Sequence, residues 1–150
     1  MCLTTGASSL ILDCFIEQGN PADSTLVQPV LQRQIDIYKQ PPRQASFDGA
    51  FASKENLRVA KEVLGVEDVA FHKKCGLKIE DMARSHSVYR RLRNFRSGIE
   101  GIISALKGRG MDRCTWRSQD SLQSFRSYAW SCVLAFNVLV LARHVLSALS

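Results

Sequence analysis

Arg93 to Lys107 reads RNFRSGIEGIISALK, and its spacing decides what kind of element it forms. Leu92, Phe95, Ile99, Ile102, Ile103 and Leu106 recur every three or four residues, the period of one helix face. Arg93, Arg96, Glu100 and Lys107 follow at intervals of three, four and seven. At about 100° per residue these four fall within roughly 60° of one another, on a stripe beside the apolar one. One acid therefore sits among three cations at the edge of a buried face. A surface ion-pair ladder, with each pair contributing about 0.3–0.5 kcal/mol, has the same pattern. The stripe alone leaves a structural and a functional reading open.

Outward from this stretch the helix is predicted to run from about Ile79 to Lys107, where Gly108 and Gly110 stop it. Upstream, Leu10 to Gln18 (LILDCFIEQ) reads as a strand broken by Gly19-Asn20-Pro21. Leu26, Val27, Val30, Leu31, Ile35 and Tyr38 predict a helix capped by Asp23 or Ser24, with Pro29 tolerated near its first turns. Pro41-Pro42 ends it. Arg43 to Phe47 is a short strand leading into an Asp48-Gly49 turn, and Ser53 opens a helix that Gly65 closes. Val66 to His72 reads as another strand, and a polar connection through Trp116 to Ser121 leads to a terminal helix, Ser124 to Leu149. The expectation is an α/β fold: about three strands returning to one sheet, flanking helices and two long C-terminal helices. A single domain would span 1–150, with residues 1–9 outside the ordered part. Three strands make a thin sheet for such long helices.

The chain carries a formal charge of +6, and its position says more than its total. His72 to Arg117 holds twelve basic residues against four acidic ones, a balance of +8, so the rest of the chain carries −2. A concentrated basic segment suits a nucleic-acid backbone, and equally a solvated helix face. Five cysteines without close pairing argue for reduced thiols and a cytoplasmic protein rather than a disulfide framework. The N-terminus lacks the basic and apolar regions of a signal peptide. Ser127 to Ala142 is uncharged for sixteen residues, short of a comfortable span and interrupted by Asn137. It reads as a buried core helix, with no membrane partner. Trp116, Phe125, Tyr128, Trp130 and Phe136 read as core aromatics. His72 with Cys75, and His86 with Cys114, carry ligand-type side chains without zinc-finger spacing.

Asp48 lies at a strand end before a glycine, where α/β folds collect functional groups and where a plain Asp-Gly turn is also common. A strand-end Asp and a helix Glu amid cations suit carboxylates that hold a divalent ion beside phosphate. At these residues the sequence resembles the DDE transposases of bacterial insertion sequences, which have an RNase H-like fold. The family signature on its Glu-bearing helix is Tyr, two residues, Arg, three residues, Glu, six residues, Lys. Arg96, Glu100 and Lys107 match it, and Arg93 stands at the Tyr position. GNPADSTL (Gly19 to Leu26), SFDGAFAS (Ser46 to Ser53) and RNFRSGIEGIISALK resemble blocks of this family, in order.

The resemblance implies that Asp48 and Glu100 are the second and third catalytic acids and ligands of Mg²⁺ or Mn²⁺. It implies that Arg96, Lys107 and the residue at the Arg93 position contact transposon-end DNA. The reaction would be hydrolysis at the element's end, then attack of the freed 3′-hydroxyl on target DNA. Such a protein would work as a homo-oligomer or with full-length transposase. In this mapping Leu10 to Gln18 is the third strand of an incomplete RNase H-like fold. The first acid would then lie before Met1 and the chain alone would be inactive; Asp13 as a substitute would need a different strand order. The alternative expectation is a non-catalytic basic DNA-binding or transposase-interaction module.

Overall fold

The computed structural model describes residues 1–17, 19, 21–111, 113 and 121–149. The expected core aromatic Trp116, with Cys114, Arg117 and most of the polar connection, lies outside them. The elements follow in the order β1 (Cys2–Thr5), β2 (Ile11–Phe15), α1 (Val27–Tyr38), β3 (Gln44–Phe47), α2 (Lys54–Arg58), β4 (Asp68–Phe71), α3 (Ile79–Met82), α4 (His86–Gly108) and α5 (Ser121–Leu149). Helices and small sheets are mixed, as an α/β chain requires. Where one sheet of about three strands was expected, the described residues form two sheets of two strands each. The chain divides into two compact units, Glu17–Gly98 and a second made of Met1–Ile16 with Ile99–Ser150. The expectation was a single domain.

In the first unit β3 and β4 pair in parallel, Gln44 beside Asp68 through Phe47 beside Phe71. Parallel strands need a long crossover, supplied here by α2 and the π-helical turn Val59–Val63 that continues it. All four residues of β4 are buried. Val27 and Leu31 of α1, Leu57 and Ala60 of the crossover, and Met82 and Leu92 pack around it. Each of the valine, leucine and methionine side chains, fully buried, stabilises by about 1.5–3 kcal/mol before conformational entropy is counted. α1 begins after a 3-10 turn at Asp23–Thr25, so neither Asp23 nor Ser24 caps it, and it ends at Lys39 in the left-handed region (φ 59°). The long helix predicted from Ile79 is two helices. Ala83 is extended, and the Arg84 N–H goes to Asp68 Oδ1 at 2.8 Å. Periodicity does not register a contact made by a residue sixteen positions away.

In the second unit β1 pairs antiparallel with β2, Leu3 beside Cys14, with a bulge between Thr4 and Thr5. Residues 1–9, expected outside the ordered part, thus supply a strand and the turn in which Gly6 N donates to Leu10 O at 2.9 Å. Ala129, Val133, Phe136 and Val140 of α5 join Ile11, Cys14 and Ile16, with Leu106 and Met111, in one core. Asn137, which looked like an interruption, is fully employed. Its Oδ1 accepts from Ile11 N and its Nδ2 donates to Ile11 O, both at 2.9 Å. The expected buried core helix is buried along one stripe only, with 17% of its apolar window covered. Trp130, expected in the core, is 43% exposed. By length and composition Leu122–Leu149 could cross a membrane.

Candidate functional site

Asp48 follows the last residue of β3 and caps the 3-10 turn Gly49–Phe51, its Oδ1 accepting from Gly49 N at 2.6 Å. Glycine is required at 49 by space rather than by backbone angle. A Cβ there would come within 2.8 Å of the Lys73 Cβ and Cγ. Ser53 then caps α2, accepting from Asn56 N at 3.0 Å. The Asn56 side chain donates to Ser24 O and Phe51 O, each at 2.8 Å. The first two sequence blocks are therefore stitched together by one amide, and what they hold is the Asp48 turn.

The third block reaches the same place. Arg96 of α4 donates from its terminal nitrogen to Asp48 Oδ2 at 2.6 Å, across 48 positions of sequence. The Arg96 side chain is 16% exposed and that of Asp48 47%. α4 is seated for this by Tyr89, whose buried hydroxyl donates to Phe71 O at 2.9 Å, and by Leu92 in the core. Of the predicted site residues, Asp48 and Arg96 are brought together. Arg93 is exposed on α4. Glu100 and Lys107 are also exposed, and belong to the second unit.

Part of the basic segment is structural. Arg84 Nε lies 3.6 Å from Asp68 Oδ2, Arg91 donates to Gln44 Oε1 at 3.1 Å, and the Lys74 ammonium sits 6.0 Å from the Tyr89 ring centre. Lys73, Lys78, Arg90 and Arg93 face solvent. His72 and Cys75 do not act as a pair: Cys75 Sγ approaches Gly49 O at 3.9 Å, and His72 Nδ1 is buried without a partner. The Glu80 carboxyl is held below its usual range by the Glu80 backbone N–H and then by His86, which contacts it at 3.1 Å.

Sequence reasoning missed Asp68, at the other end of the same strand pair. It is 1% exposed. It accepts from Gln44 Nε2 and Arg84 N, each at 2.8 Å. Burial alone would raise its pKa; the Arg84 N–H, the Gln44 amide and the nearby Arg84 charge outweigh burial and hold it below the ordinary value. An Asp opening an apolar strand (EDVAF) was the available signal.

Asp48 does not by itself make a resident-metal site, since it supplies a single carboxylate, each oxygen of which accepts one hydrogen bond and keeps a lone pair for another ligand. Among the described residues no three His, Cys, Asp or Glu side chains stand close enough together to hold an ion. No protein-family profile, curated protein or solved structure matches the chain.

Proposed function

We propose that this chain is part of an insertion-sequence transposase of the DDE type, on an RNase H-like fold, and acts on DNA through the basic face of α4. The observation that carries this reading is the 2.6 Å contact between Arg96 and Asp48. The resemblance gives roles to five residues, and two of them, Asp48 at a strand end and Arg96 on the signature helix, touch in the folded chain. A parallel strand pair joined by a helical crossover, with Asp48 just past the carboxyl end of β3, is the kind of scaffold on which α/β proteins place ligands. Glu100 is then the third acid, with Arg93 and Lys107 as backbone contacts suited to phosphate by charge. Mg²⁺ or Mn²⁺ is the metal this chemistry uses, and an ion at Asp48 must compete with Arg96.

A second reading is favoured by that competition. With Asp48 already neutralised by a guanidinium, the chain works as a non-catalytic DNA-binding or transposase-interaction module.

One titration and one cleavage assay separate them. Duplex transposon-end DNA is expected to bind with affinity that falls steeply with salt, because each neutralised phosphate adds about 0.9 to the log–log slope. Arg93→Ala and Lys107→Ala should each lower that slope by about 1. Metal-dependent cleavage abolished by Asp48→Ala and Glu100→Ala supports the catalytic reading. Salt-sensitive binding without cleavage supports the module, and no DNA affinity at low salt rejects both.

A further inference from the structure

The feature of the second unit that its own core does not explain is the outward side of α5. Trp130, Leu134, Val138, Leu141, Val145 and Leu149 are each between 43% and 80% exposed, and Leu139 and Leu146, 42% and 67% exposed, lie farther round the helix. At about 100° per residue they share one stripe, roughly 140° around the helix from the buried Ala129, Val133, Phe136 and Val140. No charge lies on that stripe: Arg126 donates to Ile16 O at 3.3 Å and His144 contacts Ser8 O at 3.2 Å, off to its side. Six large apolar side chains in a row make a patch on the order of 600 Å², at the upper end of what monomers leave uncovered.

The spacing identifies the occupant. The intervals along the stripe are four, four, three, four and four, the same read from either end. A two-fold axis requires this of a helix that packs against itself antiparallel. Trp130 then meets Leu149 of the partner subunit, Leu134 meets the partner's Val145, and Val138 meets the partner's Leu141. The central four-three-four run is the heptad spacing of paired helices. Covering the stripe on both copies buries about 1,200 Å² in all, the lower end of specific interfaces. Antiparallel helix dipoles favour the same arrangement. A bilayer is the poorer occupant, because lipid would surround the helix. One side of α5 is already committed to the hairpin through Asn137 and the core stripe. We infer that α5 is an isologous dimerisation helix, pairing antiparallel with α5 of a second copy of this chain. This rests on unit-two residues alone and stands whether or not the chain acts on DNA.

Sedimentation of the full chain at micromolar concentration should give twice the 16.8 kDa chain mass. Leu134→Glu and Val145→Lys, each at an exposed site, should separately give monomers with unchanged helical circular dichroism. Combined in one chain they should restore the dimer, since antiparallel pairing sets each introduced charge against its opposite. A monomeric wild type, single variants that remain dimeric, or a double variant that stays monomeric would overturn the inference. So would wild-type chain that pellets with phosphatidylcholine–phosphatidylglycerol vesicles.

Discussion

The two ends of the β3–β4 pair each carry an aspartate beside an arginine, and they do different work. Asp68 is buried at the amino end of β4, where it ties β4 to Gln44 of β3 and to the break before α4. Asp48 is half-exposed just beyond the carboxyl end of β3, with Arg96 as the ion-pair partner and Gly49 N as a local donor. Carboxylates closed off from water hold architecture together; one left open at a strand's carboxyl end is available to a ligand. Charge pairing alone does not tell them apart. Burial and position on the sheet do.

The largest effect should come from the buried end. Asp68→Ala strands the Arg84 N–H and the Gln44 amide, and should cost about 2–3 kcal/mol in urea unfolding. Because Asp68 has a lowered pKa when folded, its contribution is complete above its unfolded value near 4 and is lost as pH falls through the lower folded value. An acid titration of stability should therefore decline less in Asp68→Asn than in the wild type. Asn56→Ala, which unstitches Ser24 from Phe51, should cost about 1–2 kcal/mol. Arg96→Ala should cost no more than about 1 kcal/mol in stability, given how open Asp48 is. It should weaken DNA binding, whereas Asp48→Ala should leave binding intact and remove any cleavage. A stability loss for Asp48→Ala as large as that for Asp68→Ala would erase the contrast between the two ends.

Much of the first unit is legible in the sequence. α1, β3 and β4 follow from periodicity and from proline and glycine punctuation, and Ser53 caps α2 as its type predicts. β1 was not legible. Met1 to Thr5 has no alternating run of its own, and Cys2–Thr5 is a strand only because Ile11–Phe15 lies beside it. The break between α3 and α4 was hidden for a similar reason, since the acceptor of the Arg84 N–H there is Asp68, and the Ser85 hydroxyl, which accepts from Val88 N at 3.3 Å, was not read as a cap. On α5, near-uniform hydrophobicity masked which side is covered, so a partly exposed helix read as a core one. The Asp48–Arg96 contact was not legible: the resemblance gives Arg96 to DNA rather than to Asp48, and no local pattern connects residues 48 positions apart.

Asn137 has a consequence for that helix. A helix whose middle, Ser127 to Ala142, is uncharged and apolar can turn about its long axis at little cost, since most of its faces suit a greasy neighbour. Two hydrogen bonds to the backbone of Ile11 index α5 at a single rotational phase. Replacing this amide with leucine should keep the helix but let it settle at several angles, and the side presented to the outside would then differ from molecule to molecule.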